Sequence, residues 1–132
     1  MKMIDDIKAS GVHITFGPII YPFANDALYT PAILVKEGIK VALTMDSASD
    51  FEKHHLHHAQ IAVRFGMDPM DALEAITIHP AEMLNIDDRV GSLVAGKDGD
   101  VVVLDGDPMS TFTHVLCTIV DGEIAYERAG SE

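Results

Sequence analysis

A chain of 132 residues that is 48% hydrophobic but only 6% aromatic, with no Trp, has one domain's worth of core to build, and must build it from aliphatic residues and methionine. Its formal charge of −12, from 21 acids against nine Lys and Arg, argues against nucleic acid or an anionic membrane as partner. A single cysteine, Cys117, excludes an internal disulfide and fits a reducing compartment. Asp5 and Asp6 stand where a secretory signal needs an apolar run, and no apolar stretch approaches the ~20 residues of a membrane span, so a cytoplasmic protein is expected.

In chain order, Met3, Ile4 and Ile7 share one face of a short helix over 3–9, which Gly11 stops. Val12 to Phe16 reads as a strand, and residues 17–29, with two prolines, Asn25 and Asp26, read as a loop. Thr30-Pro31 opens a helix with Thr30 as N-cap, and that helix runs to Gly38. Then comes Gly38-Ile39-Lys40-Val41-Ala42-Leu43-Thr44-Met45-Asp46-Ser47, an apolar β-forming run that ends on a lone carboxylate. This is the pattern of a buried parallel strand delivering one acid to the carboxyl edge of an α/β sheet. Barrel enzymes keep their chemistry at that edge, which makes Asp46 the first catalytic candidate.

Residues 52–65 form the next helix, stopped at Gly66, and Asp68-Pro69 opens another that reaches about Ile76. His79-Pro80 reads as a break before one further turn over Ala81 to Leu84. From residue 86 turns crowd together around a short buried strand, Val101 to Leu104. Val115 to Val120 and Glu123 to Tyr126 flank Asp121-Gly122, a strong hairpin signal. The expected division is an α/β segment over 1–85 and a small β segment over 86–132.

Other motifs carry less chemistry. His54 and His58 stand at i and i+4 in His54-His55-Leu56-His57-His58, a spacing that can chelate a transition metal. The plainer expectation is a polar helix face with Leu56 turned inward. His79 is expected to help start its short helix, and His13 and His114 to be packing or surface residues. Gly96-Lys97-Asp98-Gly99-Asp100 lacks the spacing of a phosphate loop and reads as a turn.

Seven runs, in order and naturally spaced, resemble the C-terminal part of the metal-dependent amidohydrolase superfamily, most closely its imidazolonepropionase-like members. They are Gly38 to Asp46, Ala62 to Met67, Ala72 to Thr77, His79 to Leu84, Asp88 to Leu93, Gly96 to Leu104, and Asp121-Gly122. The resemblance implies an α/β fold: the last two strand–helix units of a (β/α)8 TIM-like barrel, followed by the C-terminal share of a β-sandwich. On that template residues 12–16 and 41–45 correspond to the seventh and eighth barrel strands. A complete barrel needs ~250 residues, so the chain is expected to be a partial one.

The resemblance also implies roles. Asp46 would bind or orient a metal-bound water and shuttle its proton, with zinc the expected divalent metal. The remaining ligands, among them a His-x-His pair on the first barrel strand, belong to segments with no counterpart in this sequence, and one carboxylate does not hold zinc. Gly17-Pro18 and the loop to Tyr29 would face the substrate, making Tyr21, Asn25 and Tyr29 candidate contacts. Ala is usual in the family at the position of Gly99, so Gly is expected to loosen that turn.

Two readings of function follow. In one, the chain is the C-terminal portion of a hydrolase acting on non-peptide C–N bonds of a cyclic amide or related small molecule, inactive without a complementary barrel half. In the other, it is a non-catalytic α/β fragment whose unpaired strand edges are covered in a homo-oligomer.

Overall fold

The computed structural model describes residues 2–17, 28–45 and 55–130. Ten elements follow in chain order: α1 Lys2–Ser10, β1 Ile14–Phe16, α2 Thr30–Lys36, β2 Val41–Leu43, α3 His55–Arg64, α4 Pro69–Glu74, α5 Ile78–Met83, β3 Val101–Leu104, β4 Val115–Val120 and β5 Glu123–Glu127. β1 and β2 pair in parallel, Ile14 opposite Val41 and Phe16 opposite Leu43. β3, β4 and β5 form an antiparallel sheet in that order. The class is α/β, as the alternation of apolar runs and helix signals predicts.

Local chemistry accounts for the boundaries. α2 and α3 end where Gly38 and Gly66 take a left-handed turn, and the next amides reach back five residues: Ile39 to the carbonyl of Leu34 and Met67 to that of Ala62, each at 3.0 Å. Asn85 does the same for α5 at φ 55, with Ile86 N–H donating to Ala81 O at 3.0 Å. Asp68 caps α4 by accepting from Met70 N–H at 2.8 Å. Two boundaries differ from expectation. Tyr29, not Thr30, is the N-cap of α2, with no side-chain cap bond. His79-Pro80 does not break a helix but lies in the first turn of α5, where the N–H that proline lacks has no intrahelical partner to lose.

The core sits between the parallel pair and its helices. Every residue of β2 is buried, and Leu34, Ile39, Val41, Leu43 and Met67 form one cluster with the small residues Ala32, Ala59, Ala62, Ala72 and Ala75. The alanines let the helix backbones come close to the strand. Ile4 and Ile7 of α1 pack against this cluster, whereas Met3, expected beside them, is exposed. Among the described residues no helix is long and apolar enough to cross a membrane.

The antiparallel sheet is differently built. Asp121 and Gly122 both take positive φ, 52° and 80°, giving the two-residue hairpin the sequence signals. β3 was expected to be buried, yet Val102 and Val103 are exposed; β5 is exposed along its whole length. Burial fails here because the described residues place little against either face of the sheet. Gly99 is likewise not a loosened turn: a Cβ there would lie 2.9 Å from Gly122 N, so its absence lets Gly122 N–H reach Gly99 O at 3.1 Å. Gln60 ties α3 to the β3–β4 connection: its amide donates to Pro108 O at 2.8 Å and Ser110 O at 3.2 Å.

Asp105 closes the β3–β4 connection. It accepts from His114 N–H at 2.7 Å, with the His114 ring at 3.1 Å and Arg128 at 3.4 Å. The His114 amide bond, more than the ring or Arg128, holds this carboxyl below its ordinary range. A depressed folded pKa contributes stability that is present above the unfolded value, about 4, and is lost as pH falls through the folded value. Denaturant midpoints measured from pH 6 down to pH 2.5 are therefore expected to fall at the acid end, with a shallower fall in Asp105→Asn.

Candidate active site

The carboxyl edge of the parallel pair is built by two close approaches. Thr44 N–H donates to Phe16 O at 3.0 Å, extending the pairing one rung past the strand. At Gly17 an added Cβ would stand 2.1 Å from Thr44 O, so only glycine lets the two strand ends lie this close. Met45 is the last described residue before Asp46. Asp46, Tyr21 and Asn25 lie outside the described residues, as does His54. Tyr29 is described: its half-exposed ring meets Phe65, the residue just after α3, edge-on, centroids 5.1 Å apart. That contact fixes the Tyr29 ring against a helix.

The histidines hold the strand that leads to this edge. β1 takes one side of β2, so the backbone groups of Val41 and Leu43 point to the other side, and three partners meet them there. His79, buried in α5, donates from Nδ1 to Val41 O at 3.1 Å. Leu43 N–H donates to Ala75 O, at the end of α4, at 2.9 Å. His55, at the start of α3, donates from Nε2 to Leu43 O at 3.0 Å. Glu74 stands 3.5 Å from His79 Nε2, an ion pair when the ring is protonated. Sequence reasoning placed His79 as a helix starter and His55 on a polar face. Their bonds to the strand span 38 and 12 residues, and no local pattern announces such a contact.

His58 departs from the polar-face expectation as well. It is fully buried beside Ala59, while among the described residues of the run His55 and His57 are exposed and Leu56 is half-buried. Among the described residues no group of three or more His, Cys, Asp or Glu is placed to hold a metal ion. These residues by themselves do not fit a metal centre.

The opposite, amino edge of the sheet has a shallow crevice of about 350 Å³ lined by Ile7, Lys8, His13, Ile39, Lys40 and Met83. Its two cations are already engaged, Lys8 with Glu37 at 2.9 Å and Lys40 with Glu82 at 2.5 Å. Each lysine's hydrogen bond draws its glutamate's carboxyl below the usual range. Both pairs are solvent-exposed, which is the geometry of a surface ion pair.

Comparison with known proteins places this architecture. The family model described as "Amidohydrolase family" matches residues 4–125. The imidazolonepropionase of Thermoplasma acidophilum is 29% identical over 133 aligned positions, covering 95% of this chain and 32% of that protein. The N-acetylglucosamine-6-phosphate deacetylase of Mus musculus is 42% identical over 67 positions, 49% of this chain and 15% of that protein. A crystal structure of an amidohydrolase from Thermotoga maritima superposes with a TM-score of 0.87 at 28% identity, covering 96% of this chain and 34% of that one. The chain thus spans about a third, or less, of the length of these relatives. It belongs to the amidohydrolase family, as an imidazolonepropionase-like member.

Proposed function

We propose that this chain is the C-terminal portion of a metal-dependent hydrolase of non-peptide C–N bonds, in a cyclic amide or related small molecule, and that it works only with the rest of the barrel. The observation that carries the reading is the buried parallel strand β2, whose last residue, Leu43, stands three positions before Asp46 in the sequence. The carboxyl edge of a parallel sheet is where a barrel presents its reacting groups.

In this reading Asp46 is the residue the chain contributes. Its carboxylate takes a proton from the attacking water as the C–O bond forms, and returns that proton to the nitrogen as the C–N bond breaks. Zinc, the metal expected of the family, would be held mainly by residues outside this chain. Tyr21, Asn25 and Tyr29 would face the substrate, and the three-stranded sheet would be one share of a sandwich. Segments 1–85 and 86–132 would then be parts of two larger domains in a cytoplasmic enzyme.

The test is bound metal and amidohydrolase turnover, measured on the purified chain alone and mixed with the barrel portion of a relative. Turnover and zinc are expected only in the mixture. Asp46→Asn is expected to lower kcat there by two orders of magnitude or more, about the range that general acid–base catalysis supplies. Unchanged turnover in that variant removes Asp46 from the mechanism. Stoichiometric zinc and turnover in the chain alone sink the partial-site reading. The uncovered three-stranded sheet favours a second reading, a non-catalytic homo-oligomer, and the mass of the chain in solution separates the two.

A further inference from the structure

Nine Lys and Arg against 21 acids leave this chain few places where a small anion can settle. Two of the nine, Lys8 and Lys40, line the crevice at the amino edge of the parallel pair together with His13, and none of the described residues lining it is acidic. Its apolar part is the buried Ile39 with the half-buried Ile7 and Met83. These side chains come from α1, from the turn at Gly38 and from α5, so only the packed fold brings them together. The ion pairs do not close the crevice. Each ammonium has three N–H donors, and one hydrogen bond to Glu37 or Glu82 leaves two for a ligand. Exposed pairs of this kind contribute little, so a head group that shares or replaces a glutamate meets small opposition. A volume of about 350 Å³ is at the low end for small-molecule sites, and at about 30 Å³ for each water-sized group it has room for roughly ten.

We infer that this crevice binds a small amphipathic anion, a carboxylate or phosphate head on a short aliphatic or single-ring body. The head meets the Lys8 and Lys40 ammonium groups, and the body lies on Ile39 and Met83. The glutamates cancel the lysines' charge at a distance, so the head is held by contact and not by long-range attraction. Neither part of the ligand suffices alone. An anion without a body forgoes apolar burial, about a fourfold change in affinity for each buried CH2. A neutral molecule of the same shape forgoes hydrogen bonds to charged donors, a loss of roughly tenfold or more. Every residue involved lies in this chain, so the site stands whether or not the barrel is completed.

Titrating the full chain with hexanoate, monohexyl phosphate, acetate and hexanamide, while following the methyl NMR signals of Ile39 and Met83, tests this. Hexanoate is expected to shift both signals saturably, with a Kd of roughly 1 mM or below, as suits so small a ligand. It is expected to bind at least about tenfold more tightly than acetate, which lacks the body, or hexanamide, which lacks the charge. Saturable binding of either hexyl anion supports the site, and the tighter of the two names the head group. Lys40→Gln is expected to weaken binding by about tenfold, whereas Lys36→Gln, which removes an exposed charge of α2 outside the crevice, leaves it unchanged. Acetate or hexanamide binding as tightly as hexanoate overturns the inference. So does a titration in which neither hexyl anion shifts these methyls, or in which Lys36→Gln costs as much as Lys40→Gln.

Discussion

Replacing Leu43 by alanine is expected to destabilise the chain by about 3 kcal/mol and to lower its Tm by roughly 10 °C. Leu43 is 2% exposed at the end of β2 and belongs to the buried cluster that joins the strand to α2, α3 and α4. Removing three side-chain carbons takes away their transfer free energy and leaves a cavity, because the alanine-lined helices have little side chain with which to fill it. The backbone bonds of Leu43 to Ala75 and His55 do not depend on its side chain, so the loss reports packing. Leu93→Ala is the matched control: that side chain is 82% exposed, and its removal is expected to change stability by no more than about 0.5 kcal/mol. Urea titrations of both variants decide the matter. A Leu43→Ala loss below about 1 kcal/mol means that the core is not organised around this strand.

Gly17→Ala is expected to cost about 1–3 kcal/mol and to open the carboxyl edge of the parallel pair. The added methyl would stand 2.1 Å from Thr44 O and 2.9 Å from Thr44 C. Both are backbone atoms and cannot swing aside as a side chain can, so the strands must part where Thr44 N–H meets Phe16 O. Faster amide exchange at Thr44, with the β3–β5 amides unchanged, is the expected signature. If exchange at Thr44 is unaltered, the close approach is not required. Thr44 lies two residues before Asp46 in the sequence, so the variant also probes the reach of the proposed acid without touching it.

Much of the local architecture is legible in the sequence because it is made by neighbours in the chain. Gly38 and Gly66 end their helices, Asp68-Pro69 opens α4 and Asp121-Gly122 turns the hairpin through contacts within about six residues. The burial of β2 is legible for a related reason: a run of apolar residues without alternation needs cover on both faces. The misreadings have one physical origin. Val102 and Val103 look like core residues by composition, but burial requires something to pack against, and composition does not supply it. His58 looks like surface by polarity, yet its place on α3 turns it inward beside Ala59.

Alone, then, the sequence determines the order of strands and helices, the turn chemistry between them, and the resemblance that points to Asp46. Short-range hydrogen bonding and apolar periodicity are properties of a few consecutive residues, and they survive without the fold. Tertiary structure decides what holds β2 in place. His55, Ala75 and His79 reach β2 from three different helices, and bonds between residues 12 to 38 positions apart exist only once those helices have packed.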